Sequence, residues 1–70
     1  MTGSLLSVNG ALEPLEARNV AELLAARGID TAARGIAVAR NGAVVPRTLW
    51  GETALAAGDR IEIIKAMSGG

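Results

Sequence analysis

The chain closes on Ser68-Gly69-Gly70, and the carboxylate of Gly70 is the one group in it whose setting suggests reactivity. Glycine has no side chain to anchor it and loses the most backbone entropy on ordering, so residues 66–70 are expected to form a flexible tail. Such a tail can be threaded into a narrow site on another protein. A carboxylate is a poor electrophile until it becomes an acyl phosphate anhydride, and a glycine acyl carbon is then the least hindered one to attack. The chain contains no Cys and no His, so it brings neither a sulfur nucleophile nor the usual general base to that carbon. Taken by itself the tail favours a plainer reading, a frayed terminus or a Ser-Gly-Gly remnant of cloning. The segments that hold the tail reverse that preference.

Immediately upstream, Arg60-Ile61-Glu62-Ile63-Ile64-Lys65 has the alternation of a strand, with Ile61 and Ile63 on one face. The other elements follow from turn and cap signals. Ser4-Leu5-Leu6-Ser7-Val8 predicts a first strand, Asn9-Gly10 a type I′ turn, and Ala11 to Glu16 an antiparallel return with Leu12 and Pro14 on one face. Pro14 has no N–H to donate, which places that strand at the edge of a sheet. Asn19 followed three positions later by Glu22 predicts a capped helix start. Val20, Leu23 and Leu24, with Ile29 beyond Gly28, form one apolar stripe over a helix of about 8 to 9 residues. Asp30 to Arg34 is a polar connector.

Gly35 to Arg40 alternates large and small residues, predicting a strand with Ile36 and Val38 under the helix and Ala37 and Ala39 on the opposite face. Asn41-Gly42 repeats the hairpin signal, and Ala43 to Pro46 returns as a short strand. Arg47 to Ala57 reads as an irregular stretch with a helical turn, and Gly58-Asp59 as a turn into the last strand. One helix between a hairpin and three later strands, all on one face of a mixed sheet of four to five strands, is an α+β design. A long crossover sets its first and last strands side by side and parallel, which is the β-grasp arrangement.

Composition removes several function classes. Seventy residues make one domain, 1–70, near the lower size at which a core holds without help. Half the residues are apolar, and with no Cys there is no disulfide and no thiolate metal site, so packing alone must stabilise it and no bound metal is expected. Seven basic residues balance seven acidic ones, so no long-range field draws a polyanion, and one aromatic offers little base stacking. Nucleic acid is therefore not an expected partner. No segment approaches the roughly 20 apolar residues of a membrane span, and the start has neither a basic run nor a long apolar one. The expected setting is the cytoplasm, as a monomer when free.

Val8-Asn9-Gly10, the helix start Asn19-Val20-Ala21-Glu22-Leu23-Leu24, the run Asn41-Gly42-Ala43-Val44-Val45-Pro46-Arg47-Thr48-Leu49-Trp50, and Gly58-Asp59-Arg60-Ile61-Glu62-Ile63-Ile64 with Gly69-Gly70 occur in one order. Together these resemble the ThiS family of bacterial thiamine-pathway sulfur carriers, over roughly residues 4 to 70. A few extra residues at the N-terminus depart from the pattern. The resemblance implies a ubiquitin-like carrier whose Gly70 carboxylate is adenylated by an ATP-consuming, E1-like adenylyltransferase of the ThiF type. Sulfur from a donor protein then makes a thiocarboxylate, and a thiazole synthase of the ThiG type receives it. On that implication the chain is a cosubstrate with no catalytic residue and no permanently bound cofactor. ATP is used by the partner, and Gly69 and Ser68 belong to the threaded tail.

Other readings stay open on sequence alone. A carrier for another acceptor, like the small subunit of molybdopterin synthase, shares the fold and the Gly-Gly end but is not expected to carry Val-Pro-Arg-x-x-Trp. A ubiquitin-type modifier normally builds chains on its lysines, whereas Lys65 is the sole lysine here and borders the tail. A β-grasp binding module with an inert tail predicts full activity without the glycines. Trp50 reads as the plug of a secondary core rather than a partner contact. Arg47 is either a grip for an acidic partner or a solvated charge. If β alternation is unbroken, Ile64 faces away from the helix and joins Leu5, Ala37 and Ala39 in a shallow apolar patch ringed by Arg60, Glu62 and Arg40, a docking face for partners. A bulge at Ile63-Ile64 hiding both is the alternative.

Overall fold

Two Asn-Gly pairs set the layout of the sheet. The computed structural model describes residues 4–65. Its elements are β1 (Leu5–Val8), β2 (Ala11–Pro14), helix α1 (Val20–Ala26), β3 (Ile36–Arg40), β4 (Ala43–Val44), a 3₁₀ helix (Arg47–Glu52) and β5 (Arg60–Lys65). Asn9 and Gly10 take φ values of 51° and 85°, and Asn41 and Gly42 take 52° and 87°, so both central residues of each hairpin turn are left-handed, as a type I′ turn requires. The five strands lie in the order β2-β1-β5-β3-β4. β1 runs parallel to β5 while all other pairings are antiparallel, and Pro14 stands on the edge strand, where its missing N–H costs nothing.

Helix α1 is shorter than its sequence suggested. The Asn19 side chain accepts a hydrogen bond from the Glu22 N–H at 2.8 Å, and the Glu22 carboxylate accepts from the Arg18 N–H at 2.9 Å. The reciprocal cap therefore reaches one residue further back than in the usual capping box. At the other end Arg27 is already the C-cap, Gly28 turns left-handed at φ 77°, and the Ile29 N–H returns to the Leu24 carbonyl at 2.9 Å, closing the helix after two turns.

Val20, Leu23 and Leu24 pack from α1 onto Leu6 and Val8 of β1, Val38 of β3, and Ile61 and Ile63 of β5, with Ile29 and Ile36 partly buried at the margin. Burying each such side chain contributes about 1.5–3 kcal/mol. The period-two faces are as the sequence implied, with Ala37 and Ala39 turned away from the helix. Trp50 departs from expectation in one respect: it joins this same core instead of plugging a secondary one.

Asp59, which reads in the sequence only as a turn residue, is the one buried charge among the described residues. Its carboxylate accepts hydrogen bonds from Arg40 Nε at 2.8 Å, Asn41 Nδ2 at 3.0 Å and the Ala56 N–H at 2.8 Å. Burial pushes its pKa up, but the bonds from Arg40, Asn41 and Ala56 outweigh that, and the carboxyl sits below its ordinary range. A depressed folded-state pKa means that its stabilisation is complete above the ordinary carboxylate range and is lost as pH falls below about 4. Asp59→Asn is expected to cost about 2–3 kcal/mol at neutral pH, because the new amide N–H₂ faces donors. Arg40 keeps 36% of its side chain exposed, so most of this cost lies in the lost hydrogen bonds rather than in Coulomb attraction. Urea unfolding at pH 7 and pH 3 checks it: the gap between wild type and variant narrows at the lower pH.

Candidate functional site

Ser68, Gly69 and Gly70 lie outside the described residues, so the site is visible as the platform that leads to them: β5 up to Lys65 and the surfaces on either side. β5 pairs with β3 without interruption, from Arg40 with Ile61 through Ala37 with Ile64 to Ile36 with Lys65. There is no bulge at Ile63-Ile64. Ile63 is therefore buried beneath the helix, while Ile64 points to the open face and is 61% exposed. Beside it stand Ala37, its cross-strand partner, then Ala39, and then Val44, which pairs with Ala39 and is 75% exposed. These four make one apolar lobe beside the end of β5.

Two residues assigned to the patch from sequence belong elsewhere. Leu5 shares the open face and is 44% exposed, but the parallel register sets Ser7 beside Arg60. Leu5 is thus level with Gly58, six residues of strand or roughly 20 Å from Ile64. There it neighbours Pro14 and Leu12 on β2, in a second lobe separated from the first by Arg60 and Glu62. Arg40 does not ring the patch either, because alternation turns it to the helix side, where it pairs with Asp59.

On the helix side of the same sheet end a cleft of about 330 Å³ is lined by Asn9, Arg27, Ile29, Ile63 and Lys65. Arg27 is held there by Glu13 of β2, whose two carboxylate oxygens lie 2.9 and 2.8 Å from Nη1. The Asn9 side chain accepts from the Ile63 N–H at 2.8 Å and donates to the Ile63 carbonyl at 3.3 Å. This leaves the end of β5 hydrogen-bonded on both edges.

The Val-Pro-Arg-x-x-Trp segment builds scaffold. Val45 is buried and its carbonyl accepts from Trp50 Nε1 at 2.9 Å. Pro46 starts the 3₁₀ helix, and its extended ψ of 145° turns the chain out of β4. Arg47 is exposed yet tied down. Its guanidinium donates to the carbonyls of Thr31 and Ala33 and lies over the Trp50 ring, 4.9 Å from the centroid. It thereby pins the α1–β3 connector to the 3₁₀ helix.

Three contributors escaped the sequence reading. Val44 was detectable in principle, since two adjacent valines in a strand must face opposite sides and Val45 precedes a proline turn. Asn9 carried a signal that pointed only to its turn, and nothing local to Asp59 announces partners 18 and 19 residues away. Among the described residues no three or more of His, Cys, Asp and Glu gather to hold a metal ion, and no helix is long and apolar enough to cross a membrane.

Comparison with known proteins places this geometry. The family model described as the ThiS family matches residues 2–70. Among solved structures, the crystal structure of the thiamine biosynthesis protein ThiS from Geobacter metallireducens is similar at 33% identity, covering 94% of this chain and 99% of that one, with a TM-score of 0.76. A solution structure of a thiamine biosynthesis protein from the same organism is 33% identical over 94% of this chain and 87% of that one, with a TM-score of 0.74. No curated protein sequence matches the chain. The α+β sheet with its single main helix is the β-grasp fold of these relatives, and a family match over nearly the whole length makes this chain a member of the ThiS family.

Proposed function

We propose that the protein is a sulfur carrier for thiamine biosynthesis, and that its working group is the carboxylate of Gly70. The observation that carries this reading is the family match through residue 70, on a chain with no nucleophilic sulfur of its own. The carboxylate attacks the α-phosphorus of ATP in the site of an E1-like, ThiF-type adenylyltransferase, releasing pyrophosphate and leaving an acyl adenylate. Sulfur at the sulfide level, released by a donor protein as HS⁻, attacks the activated carbon, the C–O bond to the phosphate breaks, AMP departs with that electron pair, and a thiocarboxylate remains. A ThiG-type thiazole synthase is the acceptor. Gly69 and Ser68 are the segment that passes through the narrow entrance, and all acid–base chemistry belongs to the partners.

Reconstitution separates this pathway from its nearest rival. Carrier loaded with labelled sulfur is expected to pass the label to thiazole with thiazole synthase and none to molybdopterin with the large subunit of molybdopterin synthase. Label in molybdopterin alone would assign the carrier to the other pathway.

The docking face in this reading is the lobe of Ile64, Ala37, Ala39 and Val44, with Leu5 contributing only to a partner broad enough to span the sheet. Ile64→Glu is expected to leave stability within about 0.5 kcal/mol, as for most exposed positions. Affinity for the adenylating partner is expected to fall by about 1.5–3 kcal/mol, the worth of burying one large aliphatic side chain, and further if the carboxylate is left unpaired in the interface. Urea unfolding of the free variant beside calorimetric titration with the partner measures both. Unchanged affinity would move the docking face off Ile64.

A further inference from the structure

β1 is too short to pair with all of β5. The parallel ladder covers only Ser7 with Arg60 and Val8 with Ile61, because the chain reverses at Asn9-Gly10, yet β5 continues to Lys65. On the β3 side its pairing persists to the end. On the β1 side the N–H and carbonyl of Ile63 face no strand. The Asn9 side chain meets them both, accepting at 2.8 Å and donating at 3.3 Å, while the Asn9 backbone N–H donates to the Ile61 carbonyl at 2.9 Å. A carboxamide has the donor and acceptor of a peptide unit, so it acts as one more rung of the ladder.

We infer that Asn9 is a positioning residue for the docking end of the carrier, holding the last stretch of β5 in the sheet so that Ile64 stays on the open face. The inference rests on the reading of the Ile64 lobe as the docking face. Three demands meet at this position: a φ of 51°, a side chain short enough to reach the neighbouring strand, and both a donor and an acceptor on it. Glycine meets the first alone. Aspartate meets the first two but sets a carboxylate oxygen against the Ile63 carbonyl, and glutamine carries an extra methylene at a backbone conformation it rarely adopts.

The molecule contains its own control. At the other end of β5, Asn41, also left-handed at φ 52°, donates its N–H to the Arg60 carbonyl at 2.7 Å, and its side chain accepts from the Arg60 N–H at 2.8 Å. The strand is thus clasped at both ends by the asparagine of an Asn-Gly turn, and only the Asn9 clasp adjoins Ile64 and the route to Gly70.

The test compares Asn9→Gly with Asn41→Gly, each at a temperature where it is fully folded. Glycine keeps the turn conformation, so both variants lose side-chain bonds and some global stability. Amide hydrogen exchange followed by NMR is expected to show protection at Ile63 falling about tenfold relative to core amides in Asn9→Gly, the equivalent of one hydrogen bond. In Asn41→Gly the loss falls instead at Arg60 and around Asp59, which also gives up its bond from Asn41 Nδ2. Calorimetric titration with the adenylating partner is expected to give about three- to tenfold weaker binding for Asn9→Gly, as a smaller share of molecules presents the docking end in register. Asn41→Gly is expected to stay within about twofold of wild type. Unchanged protection at Ile63, or equal binding losses in the two variants, would overturn the assignment. A wild-type chain that fails to bind the partner sinks the carrier reading and the docking role of Asn9 together. That result is distinct from wild-type binding that Asn9→Gly leaves untouched, which removes the role of Asn9 alone.

Discussion

A chain lacking Gly69 and Gly70 is expected to accept no sulfur while unfolding within about 0.5 kcal/mol of the full-length protein. The loss of function is total in the carrier reading because the reacting carbon of Gly70 is removed and the carboxylate of the new terminus, Ser68, stops two residues short of it. The stability argument rests on where the core closes. Every buried hydrophobic side chain of the described residues lies between Leu6 and Ile63, and the last ladder pair is Ile36 with Lys65. Among the described residues, the core and the ladder are built by residues 5–65. Urea unfolding and a loading assay on one preparation read both quantities. A shortened chain that still accepts sulfur would mean that the carboxylate is not the carrier group.

Trp50→Ala is expected to have the opposite profile, damaging the fold and affecting loading only through it. Trp50 is 3% exposed and in the main core, and truncating a buried tryptophan to alanine costs about 3–5 kcal/mol. A domain of this size holds roughly 4–10 kcal/mol in total, so the variant should be largely unfolded under mild denaturant. Two milder variants apportion the cost. Trp50→Phe keeps most of the packing but strips the Val45 carbonyl of the indole N–H that it accepts at 2.9 Å, for about 1–3 kcal/mol. Arg47→Ala releases the connector carbonyls of Thr31 and Ala33 and the stacking on the ring, for about 1–2 kcal/mol. Denaturant midpoints should rank Trp50→Ala lowest, and a Trp50→Ala protein as stable as wild type would contradict the packing described here.

The local signals in the sequence reach a definite depth. Asn-Gly turns, the Asn19 cap and period-two alternation act between neighbouring residues, so the elements they specify were legible, including the exposure of Ile64 once β5 is unbroken. The parallel placement of β1 beside β5 followed from topology. What stayed hidden was register. Alternation says which face Leu5 occupies but not its level along the strand, and the offset that sets Ser7 beside Arg60 splits one expected patch into two lobes. Side chains that reach across the fold were equally illegible. Asn9 contacts a residue 54 positions away, and Arg47 turns back to a connector 14 to 16 positions earlier. In both cases residue type announced a local role while the tertiary structure added a distant one. Asp59 marks the same boundary, since its donors converge only when the Asn41 turn is brought beside β5.

Intact-mass analysis reads out whether this member of the ThiS family carries sulfur on its terminal carboxylate, as proposed above. Purified protein incubated with its adenylating partner, ATP and a sulfur donor is expected to gain the mass difference of one sulfur replacing one oxygen. Fragmentation is expected to place that gain on Gly70, with no gain when ATP is withheld. An unchanged mass under conditions where the partner consumes ATP, or a gain located on any residue other than Gly70, would contradict the account.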